Sequence, residues 1–440
     1  MRFIDLFAGL GGFHRALAQL GHECVFASEI DEELRNLYND NFSGSSRFTY
    51  GDIRQNRDKV PKHDILCAGF PCQPFSKSGY QLGLQDETHG TLFDEIVYIL
   101  KSRRPEYVIL ENVGNFERHD SGRTWQIVKR KLQALGYDVR GTEHITSGGP
   151  GLISPHHFGF PHTRERFFIV GRLGGLQGQP FPAVNRDLKT SLDDIVQSQR
   201  ELSSSDRNET RLTDRQRACI KHWNSLLAKL PIAKVHIPSF PIWGDEIDAT
   251  YPFEQHTPYA ARIDELRRCL NGRGNHLELG RNDLLKLLPS YARVEQEVFP
   301  KWKVDFIKRN REWFATFRQY FTKKWVDTLK AFPPSLRKLE WNCQGEERDL
   351  WRYVLQFRPS GLRVKRYNAS PALVAMTTTQ IPILGPKQRF LSRIEGLRLQ
   401  GFPDNYQLPS SRAQAFRALG NAVHVGVIEA IAANLLAQEP

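Results

Sequence analysis

Short apolar runs alternate with helical periods through the first third of the chain. Arg2 to Phe7 forms an apolar run that breaks into the loop Ala8-Gly9-Leu10-Gly11-Gly12. From Phe13 to Leu20 the apolar positions recur at helical spacing, and Gly21 stops them. Cys24 to Ser28 is a second run, ending at Glu29 and Asp31. Ile65–Ala68, Tyr107–Leu110 and Phe167–Val170 read as further strands, with a helix around Trp125 to Leu135. Strands alternating with helices predict an α/β fold with a doubly wound, mostly parallel sheet. In such sheets ligands bind at the carboxyl ends of the strands. Each unusual residue cluster in this region falls just after one of these runs.

The texture changes after Gly171. Gly, Pro and Gln cluster from Gly174 to Pro182, a linker composition. From about 183 to 365 the strand–helix rhythm is absent, although Arg215 to Leu230 has helical spacing. Regularity returns near the end. Ser392 and Glu395 stand at capping-box spacing, and the helix they begin runs to Gln400 before Gly401 and Pro403. Ser411 to Leu419 reads as a helix broken by Gly420, and Ala422 to Leu436 as another. The expected division is a discontinuous first domain, 1–173 with 366–440, and an inserted second domain, 174–365.

Composition narrows the class. The net charge of +12 and pI near 9.4 favour a polyanionic partner. Six Cys in 440 residues, none in a CxxC pair, do not make a disulfide scaffold. No unbroken apolar run approaches the roughly 18 residues of a membrane span. No leader is legible at Met1, so the expectation is a soluble, reduced, cytoplasmic protein. Residues 301–340 hold eleven Lys and Arg against four Asp and Glu, together with nine aromatics such as Trp302, Trp313 and Trp325. That stretch is either an amphipathic helix with an aromatic core stripe or a nucleic-acid surface, and different faces can serve both.

Four clusters carry candidate chemistry. Gly9, Gly11 and Gly12 follow a strand and let the backbone approach a ligand at a helix N-terminus. A dinucleotide fingerprint from Gly9 needs glycine at 14, where this chain has His14. Glu29 follows Gly9 by twenty residues, placed to accept from ribose hydroxyls, and Asp52 could hold an adenine amino group. A loop with acids but no pyrophosphate glycine suits an adenosyl ligand without phosphates, S-adenosylmethionine, although a plain tight turn fits the loop too. Cys72 lies in Gly69-Phe70-Pro71-Cys72-Gln73-Pro74, a Pro-bounded loop at a strand end, placed for attack rather than packing. Cys24, Cys67, Cys219 and Cys269 read instead as small core residues. Glu111, in Glu111-Asn112-Val113, is a carboxylate at the mouth of the sheet, costly to desolvate without a use; a cap or ion pair is its plainer role. Arg164 and Arg166 could present forked donors to phosphate or to a base oxygen. Taken alone, they read more simply as surface arginines. His156, His157 and His162 lack a carboxylate or Cys to complete a metal set, so no metal is expected.

Taken together, the ordered set DLFAGLGG, SEID, GDI, GFPCQPFS, GTLF, ENV, RER, RLQGFPD and GNAVHV resembles the DNA (cytosine-5) methyltransferases, especially bacterial enzymes of restriction–modification systems. The resemblance covers roughly 1–172 and 366–440. It departs from the family at His162, where Gln is usual, and at Ser392-Arg393-Ile394-Glu395. It implies an S-adenosylmethionine-dependent methyltransferase domain closed by its own C-terminus, with a smaller target-recognition domain inserted. It implies that Phe7, Gly9, Leu10, Gly11, Glu29, Asp52, Leu92 and Asn421 line the S-adenosylmethionine site. Catalysis would fall to Cys72, Glu111, Arg164 and Arg166. Cys72 would add to carbon 6 of an extruded cytosine and Glu111 would hold ring nitrogen 3, best with its pKa raised by burial. Arg166 would donate to the ring oxygen and Arg164 to the backbone. The implied partner is double-stranded DNA, the implied state a monomer, and pairing with a restriction endonuclease is the expected setting. A tRNA cytosine-5 methyltransferase and an inactive DNA-binding regulator are the alternatives on the same fold.

Overall fold

A computed structural model describes residues 1–42, 49–70, 91–147, 149–270, 278–374 and 380–437. Cys72 and the rest of its loop lie outside the described residues. The chain forms two compact units: 1–209 with 368–381 and 391–440, and 210–367 with 382–390. The Pro–Gly stretch after Gly174 runs within the first unit.

The first unit is built on a seven-stranded sheet. Its strands are β1 (Arg2–Leu6), β2 (Glu23–Ser28), β3 (Thr49–Tyr50), β4 (Ile65–Gly69), β5 (Tyr107–Val113), β6 (Tyr137–Gly141), and, after a two-residue β7 (His162–Thr163) that lies outside this sheet, β8 (Arg166–Leu173). The order is β3-β2-β1-β4-β5-β8-β6. The first five pair in parallel, and β8 runs antiparallel between β5 and β6. Helices α1 (Gly12–Gln19), α2 (Glu32–Asn41), α3 (Ile53–Asn56), α4 (Leu92–Arg103) and α5 (Arg123–Ala134) connect these strands.

Why these residues make strands is plain in β4 and β5. Ile65–Ala68 and Tyr107–Leu110 are continuous apolar runs buried on both faces, as a covered parallel sheet demands. The core they share with Ile4, Leu6, Phe93, Ile96, Trp125, Val128, Phe167 and Ile169 is one contiguous cluster. The C-terminal segment adds three helices, Arg393–Gln400, Arg412–Asn421 and Val425–Leu436. The first starts with the expected capping box of Ser392 and Glu395. The stretch Arg412–Leu436 is long and apolar enough to cross a membrane, yet Ala422–His424 break it into two helices and most of it is buried inside the fold.

The second unit has a six-stranded sheet in the order Arg389–Phe390, Ile383–Leu384, Val354–Arg358, Gly361–Lys365, Lys338–Trp341, Ile242–Trp243, with helices packed on it. Lys301–Thr316 and Lys323–Ala331 are its basic, aromatic helices. Their inner faces bury Trp313, Phe314 and Trp325, with buried Phe321 between the two helices, while Trp302 is 57% exposed beside Lys301.

Several expectations change. Gly420 sits inside helix Arg412–Asn421, and the break comes at Ala422. β5 continues past Leu110 to Val113, which puts Glu111 within the ladder. Cys24, Cys67 and Cys219 are buried, but Cys269 is only half-buried. Lys303 is not part of the basic surface: it is buried, and its ammonium donates to the carbonyl of Tyr291 at 2.9 Å.

Candidate active site

The site grows from the carboxyl ends of β1, β2, β4 and β5. After β1 the chain turns sharply. Phe7, Gly9 and Gly11 all adopt positive φ (56°, 53° and 75°). For Phe7 that left-handed backbone is a strained state, of the kind that persists where a site requires it. The turn aims the amide of Gly9 at Glu29, whose Oε2 accepts it at 2.7 Å; Oε1 accepts the amide of Asp31 at 2.9 Å. Burial raises the Glu29 pKa, opposed by these two amides. The carboxylate keeps acceptor capacity for a further donor, as a ribose hydroxyl would supply.

Two cavities share Phe7 and Glu29 as walls. One, of about 300 Å³, is lined also by Ile30, Asp52, Ile53 and Leu92. It is an apolar slot with a carboxylate at its edge. Asp52 is held below the usual carboxylate range by Arg54, which donates to both its oxygens. The other cavity, of about 460 Å³, is lined by Gly9, Phe13, Asp31, Gly69, Phe70, Glu111, Asn112, Arg164, Arg166, Asn421 and Val423 among others. Among the described residues Glu29 is the one acid that lines both, which disfavours a phosphate beside it and suits a neutral ribose. The slot, the hydroxyl acceptor and this charge fit S-adenosylmethionine.

Of the eight residues expected to line that site, Phe7, Gly9, Glu29, Asp52, Leu92 and Asn421 do line one cavity or the other. Leu10 and Gly11 do not appear among the lining residues. The Leu10 side chain is buried and its carbonyl accepts from Tyr406, while Gly11 is the N-cap of α1. Asp5, at the other end of this turn, is fully buried and accepts the amide of His14 at 3.3 Å.

Register explains how Glu111 meets Arg166. Val113 pairs with Arg166 across β5 and β8, so Glu111, two residues earlier on the same face, is its diagonal neighbour. Arg166 Nε lies 2.9 Å from Glu111 Oε1, with both side chains largely buried. On the other side Glu111 pairs with Gly69 of β4, two residues before the first residue of the undescribed cysteine loop. A Cβ on Gly69 would stand 3.7 Å from Glu111 Oε2, an ordinary van der Waals distance, so the carboxylate lies directly against the end of β4. Asn112 anchors the same entry, donating to the carbonyl of Phe70 at 3.0 Å.

Arg164 faces a different partner set. It is 3% exposed, and its two terminal nitrogens donate to the carbonyls of Gly420 and Ala422, each at 2.9 Å. His162 is fully buried and donates to the carbonyl of Leu399 at 3.0 Å. Sequence reasoning missed Phe13, Asp31, Ile53 and Val423 as lining residues. Their neighbours Gly12, Glu29, Asp52 and Asn421 were the available signal. Among the described residues no cluster of three or more His, Cys, Asp or Glu could hold a metal ion.

A C-5 cytosine-specific DNA methylase family model matches residues 1–437. The chain is 33% identical to the type II methyltransferase M.AluI of Cellulosimicrobium cellulans, over 98% of this chain and 90% of that one. It is 30% identical to M.HgiCI of Herpetosiphon aurantiacus, over 99% and 97% respectively. With M.HhaI of Haemophilus parahaemolyticus it shares 43% identity over 171 residues, covering 39% of this chain and 48% of that one. The cleft that joins Glu29, Glu111 and Asn421 is therefore read in a chain that belongs to the C-5 cytosine-specific DNA methylase family.

Proposed function

We propose that this chain methylates carbon 5 of cytosine at a specific site in duplex DNA. The single observation that carries the site assignment is the Glu111–Arg166 pair, held in the same cavity as Glu29 and Asn421 and beside the end of β4, the strand that leads into the Cys72 loop. S-adenosylmethionine, when bound, supplies the electrophilic methyl group.

Carbon 5 of cytosine is a weak nucleophile until carbon 6 is saturated. The Cys72 thiolate forms a bond to carbon 6, and electron density moves onto carbon 5. Glu111 hydrogen-bonds ring nitrogen 3 and shares a proton there as the adduct forms. Arg166 both orients Glu111 and offers its remaining donors to the ring oxygen. Carbon 5 then takes the methyl group and loses its proton. The carbon–sulfur bond breaks, and the thiolate and the aromatic ring are restored. None of this is possible inside a base-paired stack, so the target must be flipped out at a cost of a few kcal/mol.

The second unit, 210–367 with 382–390, acts as the target-recognition domain in this reading. Exposed Lys301, Trp302 and Arg309 support a DNA-facing role for part of that unit. The protein works as a monomer without a metal, and its type II relatives suggest that it protects DNA from a cognate endonuclease. The test is Cys72→Ser with duplexes carrying 5-fluorocytosine. The wild type forms a stable adduct and the variant forms none while still binding DNA. Full transfer activity in the variant would defeat the nucleophile assignment. Bisulfite sequencing of DNA from a host expressing the chain identifies the methylated cytosine.

A further inference from the structure

Arg164 and Arg166 lie two residues apart on an extended segment, so their side chains leave on the same side. They nonetheless do different work. Arg166 holds Glu111 at a partly exposed cleft wall. Arg164 is buried, and a guanidinium at that depth needs partners; its two terminal nitrogens have them, while Nε has none among the described residues. Its fork spans the carbonyls of Gly420 and Ala422, and its own amide donates to Ser154 Oγ at 2.9 Å. Those carbonyls belong to the end of helix Arg412–Asn421, where no intrahelical donor is available. Gln400 donates to the neighbouring carbonyl of Leu419. Burial lowers the Arg164 pKa to about 9, which leaves it a cation at neutral pH and well matched to a helix C-terminus.

The turn that Arg164 grips ends in a wedge. A Cβ on Gly12 would stand 2.6 Å from both Cγ2 and the carbonyl oxygen of Val423. A Cβ on Gly69 would stand 3.5 Å from Val423 Cγ1. Val423 therefore fills the gap between the glycine loop and the strand end that precedes the cysteine loop. Between the two gripped carbonyls, Asn421 is left exposed on the cavity wall.

We propose that Arg164 is a positioning residue for the cosubstrate: its fork fixes the 420–423 turn, and with it the placement of Asn421 and of the glycine loop, without touching the target base. This rests on the reading above that the cleft takes S-adenosylmethionine. A lysine cannot reproduce the grip, because one ammonium lacks the planar fork.

The test compares wild type, Arg164→Met and Arg164→Lys by calorimetry with S-adenosylhomocysteine and by steady-state kinetics, with active enzyme counted by 5-fluorocytosine trapping at saturating S-adenosylmethionine. We expect Arg164→Met to weaken S-adenosylhomocysteine binding and raise the KM for S-adenosylmethionine tenfold or more, with the KM for DNA within twofold of wild type. Arg164→Lys should fall between. If Arg164→Met does not fold, Arg164→Lys decides by the same split. Wild-type affinity for S-adenosylhomocysteine with a loss confined to kcat or DNA binding would overturn the proposal and make Arg164 a DNA contact. A fall in active fraction with both KM values unmoved would overturn it in favour of a purely structural role. Failure of the wild type to bind S-adenosylhomocysteine would instead remove the underlying reading of the cleft.

Discussion

Replacing Glu29 by Gln tests the cosubstrate cleft with almost no change in shape. The carboxylate accepts two backbone amides, from Gly9 at 2.7 Å and from Asp31 at 2.9 Å. An amide side chain has one acceptor oxygen, so one of those N–H groups must face an NH₂. An unsatisfied buried donor costs about 1–3 kcal/mol. The same swap removes the desolvation of a buried charge, which is what raises the Glu29 pKa. In the free protein the two effects oppose each other, and the melting temperature should move little. In the complex they do not cancel, because the ribose hydroxyls also lose an acceptor. At 1.4 kcal/mol per tenfold, the loss of affinity should be about ten- to a hundredfold. Calorimetry with S-adenosylhomocysteine measures it, and fluorescence anisotropy with a DNA duplex should show binding unchanged. Unaltered S-adenosylhomocysteine affinity, or a large drop in melting temperature with affinity intact, would refute the reasoning.

Three further outcomes follow from features elsewhere in the chain. Glu246 is fully buried and accepts from Arg311 Nε at 2.8 Å, Tyr291 Oη at 2.6 Å and Tyr251, so Glu246→Ala should cost about 3–5 kcal/mol in denaturant unfolding of the second unit; a loss under 1 kcal/mol counts against it. Burial lowers the pKa of His14 and of His424 to about 3, so the unfolded chain binds more protons than the folded one below about pH 6.5, and stability falls as pH drops. Each ring accounts for about 2 kcal/mol at pH 5, and His424→Asn, which can still cap the final helix, should lose less between pH 7 and pH 5 than wild type; equal losses would exclude the effect. Changing exposed Lys301, Arg309, Lys323 and Lys324 to Ala should lower the salt slope of DNA binding by about 0.9 for each phosphate contact removed, and an unchanged slope would leave these residues as solvated helix.

Much of the first unit was legible because its strands are short, apolar and closed by unusual residues. The runs at β1, β4 and β5, and the capping box at Ser392, needed no tertiary information. β6 was missed although Tyr137-Asp138-Val139-Arg140-Gly141 alternates apolar and polar side chains, because it is short and follows a helix closely. The antiparallel placement of β8, and thus the diagonal that joins Arg166 to Glu111, depends on strand order, which no local pattern records. The reach of Arg164 to carbonyls 256 and 258 residues away is equally invisible in a linear reading. Lys303 shows the opposite failure: a charge counted toward a surface is satisfied internally by a single carbonyl.

The discontinuity of the first unit has a consequence for how the molecule is made. Helix α1 and the final helix, Val425–Leu436, pack on one another although some four hundred residues separate them. A ribosome that has released the first 209 residues has therefore delivered an incomplete core, with the apolar face of α1 uncovered. The inserted unit emerges and can fold while that face waits. Only when residues 391–436 follow is the open side sealed and Asn421 delivered to the cleft. A nascent chain that has not yet yielded residues 391–436 thus lacks both the cover over α1 and the Asn421 wall of the cleft.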